Sequence, residues 1–267
     1  PHIARVTMHV TAQVERLCSE AGIHSTAVQV HSRHTLNRAL EKNASTMVNL
    51  GDVFPNFEAQ TNEGPIKFHH FLGDSWGILF SHPADYTPVC TTELGRVAQL
   101  APEFEKRGVK MIALSIDSPE SHNGWIKDIE SYCSLTGKFP FPIIADHKRE
   151  LAVQLGMLDP DEVNAQGIAL TCRAVFIIGP DKKLKLSLLY PATTGRNFDE
   201  IMRVLDSVQL TAKHKAVATP VDWKQGDRVM VAPWVKAEDY EELFTSSVQD
   251  VKVPSGKNYL RTTAQPQ

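Results

Sequence analysis

Trp76-Gly77-Ile78-Leu79-Phe80-Ser81-His82-Pro83-Ala84-Asp85-Tyr86-Thr87-Pro88-Val89-Cys90-Thr91-Thr92-Glu93 is the stretch that decides the fold. Its first seven residues read as a buried strand, a short apolar run closed by a turn signal. Pro83 and Pro88 then stiffen a loop that limits water access. Beyond it Leu94, Val97, Ala98, Ala101 and Phe104 form one apolar stripe, so a helix begins at or just after Cys90. Pro102 should bend that helix. A cysteine in the first turn of a helix meets orphan N–H groups and the positive end of the dipole, which favour an anion. The thiolate is the nucleophilic form of cysteine. A lone cysteine is more often a small buried hydrophobe. Here the strand–loop–helix setting and the dense Pro and Thr surroundings favour chemistry, and Thr87 can aim its hydroxyl at the same spot.

Working outward, Val109 to Ile116 reads as a second buried strand and Phe141 to Ala145 as a short one. A helix through Leu151 to Leu155 follows, ended by Gly156. Ala174 to Ile178 and Lys185 to Tyr190 flank the turn Gly179-Pro180-Asp181-Lys182-Lys183, a hairpin with a longer loop. Strands alternating with helices make this an α/β protein with a layered sheet, to which the hairpin adds antiparallel pairing.

Three parts are expected. Residues 47–212 hold the α/β segments. Residues 213–267 are richer in turns (Thr219-Pro220, Gly226-Asp227, Ala232-Pro233, Pro254-Ser255-Gly256), with a short periodic stretch near Glu238 to Phe244. This part is too small to bury a full core alone, so it is expected to pack on the second part or on a partner subunit. Residues 1–45 form an N-terminal extension with five of the eleven histidines and five basic against three acidic residues. Ile3, Val6, Val10, Val14, Leu17 and Ala21 recur at helical spacing. That pattern fits a mitochondrial transit segment. Glu15 and Glu20 sit badly in one, and a remnant of upstream translation is the preferred reading.

Composition removes several function classes. Of 267 residues, 42% are hydrophobic and 22% charged, an ordinary globular profile. Lys plus Arg number 28 against 31 Asp plus Glu, so no basic surface argues for nucleic acid. No apolar run approaches the roughly 18 residues of a membrane span. The four cysteines, Cys18, Cys90, Cys133 and Cys172, contain no C-x-x-C pair. A disulfide framework, a zinc knuckle and a thioredoxin-type dithiol are therefore not expected, and a reducing, cytoplasmic location is.

The spacing Pro83-x-x-x-Thr87-x-x-Cys90 resembles the signature of the peroxiredoxins, thiol peroxidases on a thioredoxin-like fold. The runs Gly73 to Pro83, Thr87 to Leu94, Tyr190 to Phe198 and Thr219 to Trp223 resemble the one-cysteine, peroxiredoxin-6 subfamily over about residues 47–265. The resemblance implies a thioredoxin-like domain and a small C-terminal one-cysteine-peroxiredoxin domain. It implies that Cys90 is the peroxidatic cysteine, that Thr87 hydrogen-bonds the peroxide and that Pro83 shields the sulfenic acid. It also implies that Arg173 holds the thiolate and polarises the O–O bond, with Glu93 orienting it and His82 lying near the cysteine. Taken alone, Arg173, Glu93 and His82 would each read as structural.

Typical two-cysteine members carry a second cysteine in a C-terminal Val-Cys-Pro motif, and no cysteine follows Cys172 here. Cys172 should face away from Arg173, its strand neighbour. Cys133 falls in a loop-like stretch, Tyr132 to Gly137, and is at most an occasional partner. The expected reductant is an external thiol; the family points to glutathione, in animals with a glutathione S-transferase, and to a homodimer. No metal, haem or flavin cofactor is expected, because sulfur carries the oxidising equivalents.

Gly73-Asp74-Ser75-Trp76-Gly77 also fits the nucleophile-elbow pattern, although a strand follows Ser75 where an elbow has a helix. On context it reads as a tight turn. Animal peroxiredoxin-6 proteins are described as having a calcium-independent phospholipase A2 activity, and the resemblance places its Ser, His and Asp at Ser75, His69 and Asp181. The expected activity is reduction of hydrogen peroxide and of organic or phospholipid hydroperoxides, with phospholipid ester cleavage second. A lipid hydrolase or acyltransferase using Ser75, and a non-catalytic redox sensor, are the alternatives.

Overall fold

The computed structural model describes residues 48–164, 167 and 169–267. The expectation of a transit segment or remnant at residues 1–45 lies outside them.

In chain order the elements begin with strands β1 (Glu58–Thr61) and β2 (Gly64–Lys67) and the short helix α1 (Phe68–Leu72). Strand β3 (Trp76–Ser81) leads to helices α2 (Pro88–Gln99) and α3 (Ala101–Lys106). Next come β4 (Val109–Ser115), α4 (Pro119–Cys133), β5 (Ile143–Ala145) and α5 (Glu150–Gln154). A two-stranded ribbon of β6 (Leu158–Val163) and β7 (Ala169–Thr171) precedes β8 (Arg173–Ile178), β9 (Leu184–Tyr190) and α6 (Phe198–Lys213). The C-terminal part contributes β10 (Val217–Ala218), β11 (Val229–Val231), α7 (Tyr240–Leu243), β12 (Gln249–Asp250) and β13 (Arg261–Thr263).

The main sheet has the order β2-β1-β5-β4-β3-β8-β9. Strand β3 is parallel to β4 and antiparallel to β8, and β8 pairs antiparallel with β9 as the expected hairpin. Central strands β3, β4 and β8 are apolar along nearly their whole length because both sheet faces are covered. Alternation along each strand splits their side chains between two cores. Ile78, Phe80, Val175 and Ile177 join α2, α4 and α6 residues on one face. Leu79, Ala174, Phe176 and Ile178 join Phe54, Phe68, Leu72, Leu151 and Leu155 on the other. This architecture is the thioredoxin-like α/β fold with an added C-terminal part.

Pro102 does more than bend the expected helix. α2 stops at Gln99 and α3 starts at Ala101, because a proline lacks the N–H that would bond the carbonyl four residues back. The loop expected at Tyr132 to Gly137 is also corrected. α4 continues through Tyr132 and Cys133, and Ser134 ends it in the left-handed conformation (φ 53°). Residues beyond 213 build a four-stranded sheet, β10-β11-β13-β12, over its own core around Trp223, Val229 and Val235. It is tied to α6 by Ser207 and Thr219, whose hydroxyls are 2.7 Å apart, and by Arg203, which donates to the Trp223 carbonyl at 3.4 Å.

Candidate active site

Cys90 is the third residue of α2 and is fully buried. Three features put it there. β3 ends at Ser81 inside the core, Pro88 opens the helix where no N–H is needed, and Leu94, Val97 and Ala98 draw α2 onto the sheet. Thr87 is the extended N-cap residue; its hydroxyl donates to the Ala84 carbonyl at 3.0 Å, closing the loop on itself.

β8 delivers the facing charge. Arg173 Nη1 donates to Cys90 Sγ at 3.3 Å and to Glu93 Oε2 at 2.8 Å. Its Nε and Nη2 both donate to the Ala192 carbonyl, at 2.9 and 2.5 Å. The guanidinium is thus fixed on two sides, with one nitrogen turned to the sulfur. Such rigid, permanently charged forks suit this task better than an ammonium.

Arg196 is a member of the site that the sequence reading did not single out. Its backbone N–H and Nε donate to Glu93 Oε1 at 2.6 and 3.1 Å, and Nη2 donates to Oε2 at 2.8 Å. Its remaining nitrogen caps the Ala174 carbonyl, and its guanidinium lies 5.8 Å from the ring centres of Phe80 and Phe198. Glu93 therefore bridges two buried guanidiniums. Burial alone would raise its pKa, but the charges and hydrogen bonds of Arg196 and the charge of Arg173 hold it below the usual carboxylate range. Two cations against one carboxylate leave a centre suited to a further negative charge. Glu93 and Arg196 also line a cleft of about 340 Å³ with Thr92, Arg96 and Asn197.

His82 enters a second buried network. Its Nε2 bonds Asp85 Oδ1 at 2.9 Å and its ring packs on Trp125 at 5.0 Å. Asp85 also meets His122 Nδ1 at 2.7 Å and Ser121 Oγ at 2.8 Å, and its amide donates to Asp117 at 2.9 Å. Burial lowers the pKa of His82 and keeps it neutral. Burial would raise that of Asp85, but the hydrogen bonds from His122 and His82 outweigh it and keep the carboxylate ionised. His82, Asp85 and Asp117 present atoms within 4.8 Å of one another. Asp85 Oδ1 and Oδ2 and Asp117 Oδ2 are already engaged by His82, Ser115, Ser121, His122 and the Asp85 amide, which makes them a hydrogen-bond network. Trp125 completes the seam, donating from Nε1 to Thr91 Oγ1 at 3.0 Å, one residue past Cys90.

The structure does not join the other candidate trio by hydrogen bonds. His69 Nε2 bonds the Phe54 carbonyl at 2.7 Å, and Asp181 pairs with Lys185 at 2.6 Å. Ser75 sits in the turn between α1 and β3, held by its amide to the Leu72 carbonyl at 3.2 Å. Among the described residues no hydrogen bond links Ser75 to either. Lys182 reaches over from the hairpin to the Gly73 carbonyl.

Comparisons with known proteins identify the family. Residues 50–187 match the AhpC/TSA family, and residues 207–245 match the C-terminal domain of 1-Cys peroxiredoxin. The chain is 67% identical to peroxiredoxin-6 of Gallus gallus over 220 residues, covering 82% of this chain and 98% of that protein. It is 66% identical to peroxiredoxin-6 of Homo sapiens over 219 residues, covering 81% and 97%. A crystal structure of a peroxiredoxin 6 mutant of Arenicola marina superposes with a TM-score of 0.80 at 62% identity, covering 82% and 99%. A yeast mitochondrial 1-Cys peroxiredoxin, whose thiol resolving mechanism via glutathione/thioredoxin systems has been described structurally, gives 0.72 at 42% identity, covering 82% and 100%.

Proposed function

Because the chain belongs to the one-cysteine peroxiredoxins of the peroxiredoxin-6 subfamily, and is a thiol peroxidase resolved by an external thiol, we propose that Cys90 is its attacking residue. The carrying observation is the single Arg173 nitrogen that bonds both Cys90 Sγ and Glu93. The thiolate of Cys90 attacks the distal peroxide oxygen. An S–O bond forms as the O–O bond breaks, and the electron pair leaves with hydroxide or alkoxide, which takes a proton and departs as water or alcohol. Arg173 stabilises the charge that moves from sulfur to the leaving oxygen. The family resemblance assigns Thr87 to hydrogen-bonding the peroxide and Pro83 to shielding the sulfenic acid, and Glu93 with Arg196 keeps Arg173 in register.

Glutathione is the proposed reductant. One glutathione thiolate displaces hydroxide from the sulfenic acid, giving a mixed disulfide and, after protonation, water; a second releases the Cys90 thiol and glutathione disulfide. The likeness to the yeast protein supports this reading. So does the placement of Cys172 in the core across the sheet from Cys90. Intact and peptide mass after one equivalent of hydrogen peroxide is the test. Oxygen should appear on Cys90 alone and vanish with glutathione, while Cys90→Ser should lose turnover by at least about a thousandfold. Oxidation spread evenly over Cys90, Cys133 and Cys172 would overturn the assignment.

A homodimer joined at β9 belongs to the same proposal. β9 ends the seven-stranded sheet and carries the exposed Leu189 beside half-buried Leu186, Leu188 and Tyr190. An apolar edge strand is a template for a second copy. Sedimentation at twice the chain mass is expected, and a monomer at micromolar concentration would refute it.

A further inference from the structure

The loop that carries Cys90 passes through Tyr86 with φ of 53°, in the left-handed region. A bulky side chain is a genuine outlier there, because Cβ crowds the following carbonyl. Such a backbone persists only where its surroundings hold it. On one side Asp85 is anchored to Ser121 and His122 of α4 and, by its amide, to Asp117. On the other side the Thr87 carbonyl accepts from the amide and hydroxyl of Thr91, starting α2. Between these anchors the Tyr86 side chain reaches α4 at Gly124. A Cβ built on Gly124 would clash with the Tyr86 hydroxyl oxygen, yet stand at an ordinary 3.7 Å from its Cζ.

Glycine inside a helix is unfavourable relative to alanine, so a packing cause is called for, and the tyrosine hydroxyl is the group that fills the space. Tyr86 is 56% exposed and adds little to the core. Its contact with α4 constrains the loop instead. We propose that Tyr86 and Gly124 are a positioning pair for the peroxidase reaction, the Tyr86 side chain seated where α4 lacks a Cβ and thereby setting where Thr87 and Cys90 stand. The inference rests on the reading of Cys90 as the attacking residue. It matters for rate because displacements of an ångström at a reacting atom are worth about 10²-fold.

The experiment follows the first oxidation of Cys90 by hydrogen peroxide, by rapid quench and mass spectrometry under single-turnover conditions, with thermal midpoints measured alongside. Gly124→Ala should slow the step at least tenfold, although helix propensity alone would stabilise the variant. Tyr86→Phe/Gly124→Ala removes the clashing oxygen and should return the rate to within threefold of the parent. A merely structural glycine would not be rescued this way. Tyr86→Gly keeps the left-handed turn and deletes the ring; it should also slow the step at least tenfold, and it decides the matter alone if Gly124→Ala does not fold. A parental rate in Gly124→Ala or Tyr86→Gly, or a double variant as slow as Gly124→Ala, overturns the pair. Cys90→Ser run in parallel separates the two claims: undiminished peroxide consumption there would sink the reading of Cys90, whatever the pair does.

Discussion

Cys90 and Cys172 lie under opposite faces of one sheet, the first in the core closed by α2, α4 and α6, the second in the core closed by α1 and α5. Both are buried. Cys90 faces a guanidinium at 3.3 Å. Cys172 has chiefly apolar neighbours, and burial pushes its thiol up to about 11. The difference is created by a single peptide step. Cys172 and Arg173 are consecutive, and strand alternation sends one side chain to each face. A one-residue slip of β8 would exchange them. Burial by itself makes a cysteine inert, so what distinguishes Cys90 for its proposed role is the charge that β8 brings to its side.

Arg173→Met breaks that comparison most sharply, since it gives Cys90 surroundings like those of Cys172. Turnover with hydrogen peroxide should fall on the order of 10²–10³-fold. The fold should persist, because Glu93 keeps Arg196. Stopped-flow peroxide consumption beside a urea melt measures both; a loss under threefold would mean the guanidinium is dispensable.

A smaller effect concerns the buried titratable groups His82, Asp85 and Glu93 on the Cys90 side. His82 is held neutral below its ordinary 6.5. At acid pH the unfolded chain takes up a proton that the folded chain refuses, so stability should fall as pH drops through about 6.5, by up to about 1.4 kcal/mol per pH unit for one proton. Glu93 and Asp85, also lowered, remove more stability as pH falls below their ordinary 4.5 and 3.8. Urea melts from pH 7.5 to 3.5 test this, and a flat profile between pH 7 and 5 would contradict a neutral buried His82.

The smallest effect is expected at Ser75. Ser75→Ala should leave peroxide turnover within twofold of the parent. Phospholipid ester cleavage, if the protein has it at this serine, should be lost in the same variant; cleavage that survives would place it elsewhere.

Much of this was legible in the sequence, for local reasons. The apolar runs at β3, β4 and β8 and the stripe on α2 are periodic within single segments, and Cys90, Thr87 and Pro83 lie within eight residues of one another. Arg173 and Glu93 were reached through family resemblance, because eighty residues separate partners that the sheet brings to 2.8 Å. Arg196 escaped for the same reason, although it lies in the quoted run Tyr190 to Phe198. Gly195-Arg196 beside a helix cap reads as a turn, and nothing local says that its guanidinium folds back onto Glu93. The backing helix α4 had a signal that went unused: Ser118-Pro119 as cap and first residue, then Trp125, Ile126 and Ile129 at helical spacing. Missing it also misplaced Cys133 and hid the partners of Asp85.

The hydrogen bond from Trp125 to Thr91 gives the protein an optical consequence. Of the four tryptophans, Trp125 is the one whose indole N–H is bonded to the turn bearing Cys90, and its ring is fully buried against His82. Adding an oxygen to the neighbouring sulfur, or disturbing that turn, changes the polarity and quenching its excited state experiences. Ultraviolet emission of the native chain should therefore report the oxidation state of Cys90 in real time, without a label.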